Sequence, residues 1–340
     1  MRAMRQPAVL GEMLGGVILG PTVLGAALPR AFEWLFHSSD AVSVARESLT
    51  WLGLLFFLFV VGLQADLSDL RRQGRQALAL GLAGTLVPVA AGIGLVQALP
   101  AAFWGPLATA SPFAFALVVG LNLANSAIPV LARTLLDLGF FESRIGTISM
   151  TAALVGDLAT WACFALVLSQ LMRQGATAPA SAAFGTHVFL VALLLGVALR
   201  GSARAHPQAR DAIVRFVLGC LAPLYFVSLG LTTDFARSFD ARLVAVILVV
   251  AIASKLAGVL LGARLAGLPL DRQTWAIGFG LNARGATGII LAAVGREAGV
   301  IDERVFVALA TMAFLTSLMA GPAMRWLLAG RPPDPLRAGA

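Results

Sequence analysis

The sequence predicts an all-α polytopic membrane protein of about ten transmembrane helices, built as inverted-topology repeats whose two broken helices cross. Three observations lead there. Of 340 residues, 59% are hydrophobic and 12% charged, with a mean hydropathy of +0.88, whereas a soluble domain carries roughly a quarter charged residues. Ten apolar stretches each approach or exceed the roughly 20 residues that a span needs. Two of the ten are interrupted at mid-depth by glycine, proline and polar residues.

Span one, residues 8–28, follows Arg2 and Arg5 and ends in the small residues Gly25, Ala26 and Ala27, as a signal peptide would. Glu12, the glycines and Pro21 suit a packed helix better. Spans at 47–66 and 76–98 come next, separated by a basic loop with Arg71, Arg72 and Arg75. In span four, 111–137, the run Asn122-Leu-Ala-Asn-Ser-Ala-Ile-Pro129 places Asn125, Ser126 and Pro129 mid-helix. Proline lacks an N–H and clashes with the preceding turn, so the helix is expected to open there. Span five, 145–171, holds a single acid, Asp157. Spans at 183–203 and 210–232 follow, and span eight, 241–267, holds Lys255, the chain's one lysine. Span nine, 273–298, contains Gly278-Phe-Gly-Leu-Asn-Ala-Arg-Gly-Ala-Thr-Gly288, which sets Asn282 and Arg284 among four glycines. A second break is expected at Gly285 and Gly288. The last span is 303–329. Residues 1–330 read as one transmembrane domain and 331–340, rich in proline, as a short cytoplasmic tail.

Spans four and nine run in opposite directions and each is flanked by unbroken helices, the layout of an inverted repeat whose half-helix ends bind ion or substrate near the midplane. Freed backbone groups at that depth are tolerated where protein or a water-filled cavity satisfies them. Asp157 lies on the span after the first break and Lys255 on the span before the second. Ionisable groups at this depth cost several kcal/mol unless paired or solvated, which makes them functional-site candidates. The plainer alternatives are a structural ion pair and glycine or proline without function, which are common in membrane helices.

Other classes find little support. Cys163 and Cys220 lie in apolar spans, and His37, His187 and His206 show no ligand spacing, so neither a disulfide framework nor a metal centre is expected. No cofactor is called for. An enzyme would need a base-activated nucleophile or a metal cluster, and the sequence offers neither. Gly278-Phe-Gly280 is not a dinucleotide loop, because no strand precedes it. The net charge of +8 does not signal nucleic acid, since the arginines fall mainly in loops. Sixteen basic residues collect on the face that holds both termini and seven on the other. The positive-inside rule therefore puts both termini in the cytoplasm of a cell-membrane protein.

Four stretches, in order, carry a resemblance. They are Gln6-Pro-Ala-Val-Leu-Gly-Glu-Met-Leu-Gly-Gly-Val-Ile-Leu-Gly-Pro-Thr-Val-Leu-Gly25; Ser126-Ala-Ile-Pro-Val-Leu-Ala-Arg133 with Leu154-Val-Gly-Asp-Leu-Ala-Thr-Trp161; Ala222-Pro-Leu-Tyr-Phe-Val-Ser-Leu-Gly-Leu-Thr-Thr-Asp234; and Gly280-Leu-Asn-Ala-Arg-Gly-Ala-Thr-Gly-Ile-Ile290. Together they resemble the bacterial monovalent cation:proton antiporters, the proton-coupled branch of the sodium/hydrogen exchanger superfamily.

The resemblance implies that Asp157 alternates between proton and cation, that Lys255 stabilises the unloaded site, and that one bundle moves against a dimeric scaffold in the bilayer. Asn125, Ser126 and Asn282 are candidate oxygen ligands for sodium or potassium, and Arg284 a second compensating charge or a cap for helix ends. Lys255 is expected to pair with Asp157 itself when no cation is bound. Three departures stand out. Gly156 replaces the acid, asparagine or glutamine that usually precedes the aspartate, and Gly288 replaces a frequent glutamate. The chain also looks shortened, beginning where the family's second helix begins and lacking a helix pair between Leu171 and Phe184. Two alternatives to exchange are a non-transporting subunit or ion sensor, and a sodium-coupled carrier of an organic anion, which an Arg284 facing the cavity would favour.

Overall fold

The computed structural model describes residues 8–36, 40–64, 74–141, 143–173, 191–192, 195–196, 198–199 and 206–330. Most of the span expected at 183–203 and all of the tail at 331–340 lie outside the described residues. The described chain is helical. In order it forms α1 (Ala8–Leu19), a π turn (Pro21–Gly25), α2 (Pro29–Phe36), α3 (Asp40–Gln64), α4 (Gly74–Ala98), two single turns α5 (Ala101–Trp104) and α6 (Leu107–Ala110), α7 (Pro112–Ala124), α8 (Ile128–Leu138) and α9 (Arg144–Arg173). There follow α10 (Pro207–Phe216), continued through a π turn into α11 (Ala222–Leu231), then α12 (Ala241–Leu265), α13 (Arg272–Leu281), α14 (Ala286–Glu297) and α15 (Glu303–Leu328).

Five stretches are long and apolar enough to cross a membrane by themselves: Arg75–Ala98, Arg144–Phe164, Pro207–Leu231, Ala241–Leu265 and Glu303–Leu328. Spans four and nine are each a pair of shorter helices, as their punctuation predicts. Several starts are written in the sequence. Asp240, Asp271 and Asp302 each turn a carboxylate onto the free N–H groups of α12, α13 and α15, an N-cap contributing about 1 kcal/mol.

Two compact units divide the chain, Met1–Ala65 with Thr177–Phe239, and Asp66–Ala176 with Asp240–Ala340. In the first, α1 meets α11 glycine to glycine: Gly16 lies on the Val227 carbonyl, and a Cβ on Gly20 would come 2.5 Å from the Gly230 carbonyl oxygen. Thr50 Oγ1 of α3 donates to Ser228 Oγ of α11 at 2.8 Å. Helices in lipid gain nothing hydrophobic by associating, so small-residue approach and hydrogen bonds do this work.

In the second unit α4 packs against α7, α9 and α12. A Cβ on Gly81 would come 2.7 Å from the Ala152 carbonyl oxygen of α9, one on Gly92 2.5 Å from Gly120 Cα of α7, and one on Gly258 of α12 2.5 Å from the Ala83 carbonyl oxygen. These obstacles are backbone atoms that cannot swing aside. Gly258→Leu is therefore expected to part α4 from α12 and deplete monodisperse protein on size-exclusion chromatography, at a cost of about 1–3 kcal/mol or more. The half-helix α14 is enclosed by protein: Ile289, Ile290, Leu291, Ala292, Ala293 and Val294 are all at most 2% exposed.

Candidate functional site

Both interruptions fall in the second unit. Helix α7 stops at Ala124, residues 125–127 belong to no helix, and α8 starts at Ile128. Pro129 thus sits in the first turn of α8, where its missing N–H is not needed, rather than kinking a continuous helix. The second break runs from Asn282, the C-cap of α13, to Gly285, the N-cap of α14. Gly285 is needed for close approach, since a Cβ there would lie 3.0 Å from Ala127 Cβ. Gly288, expected to share in the break, is instead inside α14, because Asn282 to Gly285 already releases the chain.

The two breaks are laced together. Ala127 N–H donates to the Ala283 carbonyl at 2.7 Å, Ser126 Oγ to the Leu281 carbonyl at 2.8 Å, and Asn125 Nδ2 to Thr287 Oγ1 at 2.9 Å. Four half-helix ends meet here, two presenting free carbonyls and two presenting free N–H groups. Partial negative charge gathers at the ends of α7 and α13, partial positive charge at the starts of α8 and α14.

Among the described residues, the buried charged side chains are Asp157, Lys255 and Arg284, at 8%, 2% and 0% exposure. All three belong to this crossing. Arg284 donates from Nε and Nη2 to the Leu123 carbonyl (3.2 and 2.6 Å), from Nη2 to the Ala251 carbonyl (2.8 Å), and from Nη1 to the Asn282 carbonyl (3.1 Å) and Oδ1 (2.6 Å). Its five N–H groups are all committed, and three of the five bonds go to backbone carbonyls at the end of α7 and in the second break. It is the helix-end cap that its electrostatics allowed.

Two expectations need correction. Lys255 Nζ donates to the Ala124 carbonyl at the end of α7 and, among the described residues, forms no direct ion pair with Asp157. The ammonium is drawn to a carbonyl left without an intrahelical donor. Its charge still acts on Asp157 at longer range. Asn282, expected to lend an oxygen, has both its backbone and side-chain oxygens occupied by Arg284, and its Nδ2 is buried without a partner.

Asp157, on α9, lies against the backbone of Ser126, near the positive start of α8. Its Oδ1 is buried with no hydrogen-bond partner. Asn125, 1% exposed, gives its amide nitrogen to Thr287. Sequence reasoning assigned no role to Thr287, although it stands in the quoted glycine-rich segment. It could not have found the carbonyls of Leu123, Ala124 and Ala251, since backbone acceptors carry no residue signature.

Comparison with known proteins finds likenesses over nearly the whole chain. The family model described as "Sodium/hydrogen exchanger, transmembrane" matches residues 1–182 and 175–330. Cation/H(+) antiporter 17 of Arabidopsis thaliana is 29% identical over 379 aligned positions, covering 95% of this chain and 45% of that protein. The chain thus spans about half the length of such curated relatives. The Na(+)/H(+) antiporter NhaS4 of Synechocystis is 26% identical, over 94% of this chain and 90% of its own. The structure of the sodium proton antiporter MjNhaP1 from Methanocaldococcus jannaschii shares the fold at a TM-score of 0.59 and 15% identity, covering 96% of this chain and 94% of that one.

Proposed function

This chain belongs to the sodium/hydrogen exchanger family, and from that premise we propose that it is a secondary active transporter exchanging sodium or potassium for protons by alternating access at Asp157. The observation that supports this most is a buried carboxylate with one unpartnered oxygen, held where two helix breaks meet. A bare carboxylate at that depth is costly. Either a proton or an alkali ion removes the cost, and because both need the same charge they exclude one another. Occupancy then follows pH, and the neutralised site is the form that crosses. Asn125 Oδ1, Ser126 Oγ and the loosened carbonyls of the breaks supply further oxygens of the kind a hard cation prefers.

Lys255 and Arg284 keep the carbonyl ends of α7 and the second break satisfied, so that the chain stays open without water at every acceptor. Lys255 also sets a positive charge near the acid, offsetting it when neither ligand is bound. Lys255→Gln keeps an N–H donor for the Ala124 carbonyl but removes that charge. It is expected to move the pH midpoint of exchange more than the maximal rate, measured in vesicles across a pH series; loss of the folded protein would mark the lysine as structural. The carrier of organic anions is disfavoured, because an arginine with all five donors engaged has no fork to offer a carboxylate. We assign no enzymatic reaction. The proposal includes one transmembrane domain over residues 1–330, a homodimer in the cell membrane and both termini in the cytoplasm.

The direct test is reconstitution of the purified protein into vesicles under an imposed pH gradient, with cations added one at a time. Collapse of the gradient on addition of sodium or potassium is expected. No flux with any alkali cation would overturn the proposal in favour of a non-transporting subunit or ion sensor.

A further inference from the structure

Gly156, immediately before the buried acid, leaves a gap in α9 that faces α4. A Cβ at Gly156 would lie 2.8 Å from Thr85 Oγ1, so that hydroxyl oxygen stands where a side chain at 156 would begin. Thr85 is 2% exposed and spends its one proton on the Gly81 carbonyl at 2.8 Å, leaving its lone pairs as acceptors beside α9. Three residues on, Pro88 lies inside α4 and has no N–H for the Gly84 carbonyl one turn back. On α9, one turn beyond Gly156 on the same face, Thr160 is 1% exposed and its Oγ1 has no hydrogen-bond partner. A helical threonine ordinarily bonds the carbonyl one turn back. Asp157 Oδ1, between them in sequence, is also unpartnered. Buried polar groups are rarely left unsatisfied, and a bound cation is one group that satisfies oxygens.

We propose that Thr85 and Thr160 are oxygen ligands of the cation carried at Asp157, with Thr85 supplying from α4 the ligand that the side-chain-free Gly156 cannot. This rests on the exchange reading above. A hard cation leaving water needs several oxygens at once, and the two hydroxyls extend the set from the breaks onto α4 and the next turn of α9. They also give the gap at 156 a purpose: a larger residue there would displace the Thr85 oxygen from the site.

The test compares Thr85→Val and Thr160→Val, which keep the shape and lose the oxygen, with Thr85→Ser and Thr160→Ser, which keep it. Two readouts are taken: the sodium or potassium concentration giving half-maximal exchange in vesicles, and the concentration giving half-maximal thermal stabilisation in detergent. Each valine variant is expected to raise both by about fivefold, the scale of one neutral polar contact, and serine to recover most of that loss. Unshifted valine variants, or serine variants shifted as far as valine, overturn the proposal. If a valine variant does not accumulate, alanine replaces it under the same criteria. Asp157→Asn separates the two readings: should it abolish exchange while the valine variants remain unshifted, only the threonine ligands are lost; should it exchange normally, the exchange reading itself falls.

Discussion

Asp157→Asn is expected to abolish pH-driven cation exchange in reconstituted vesicles while leaving folded protein abundant. The amide has the same shape, so the packing of α9 against the first break has no reason to change. It cannot carry a negative charge, and charge is the only thing that a proton and an alkali ion have in common as ligands. Among the described residues no other acid is buried, so nothing nearby can substitute. The expected size is loss to the background of protein-free vesicles. Exchange at the unsubstituted rate would refute the assignment of the acid. A loss accompanied by aggregation on size-exclusion chromatography would make Asp157 a structural residue instead.

Arg284→Met is expected to act on folding rather than on transport alone. Methionine fills much of the volume and offers no donor, so the carbonyls of Leu123, Ala251 and Asn282 lose the N–H groups that reach them at 2.6 to 3.2 Å. The Leu123 carbonyl ends a helix and has no intrahelical donor to return to. A stranded buried acceptor costs about 1–3 kcal/mol, which puts the total on the order of 5 kcal/mol. The variant should show little monodisperse protein and a sharply lowered melting temperature in detergent. Arg284→Lys should recover only part, because a single ammonium cannot span three carbonyls in the fixed fork of a guanidinium. A methionine variant that melts like the unsubstituted protein but fails to exchange would move Arg284 from cap to ion pathway.

Much of this was visible in the amino-acid order. Apolar length alone announces the helices α4, α9, α12 and α15, because a bilayer accepts little else. The breaks are legible because residues such as Asn125, Pro129 and Gly285 have no use inside a lipid-facing helix. Asp157, Lys255 and Arg284 stand out because a charge at that depth needs a reason. Gly288 was misjudged for a general cause: glycine in a membrane helix marks either a break or a close approach, and composition does not separate them. Here a Cβ on Gly288 would meet Asn125 Nδ2 at 3.2 Å, and close approach is its role.

What the sequence by itself determined was therefore the class of fold, the position of both breaks and the candidacy of Asp157, Lys255 and Arg284 as charges at depth, since each follows from the cost of placing a residue type in hydrocarbon. What only the tertiary structure decided was which group each charge satisfies. Lys255 goes to Ala124 and Arg284 to Leu123, Ala251 and Asn282, while the Thr85 hydroxyl of α4 stands against Gly156, some seventy positions away in sequence. Those partners are backbone carbonyls and a hydroxyl that any residue order could supply. They become specific when packing at glycine contacts brings the helix ends together.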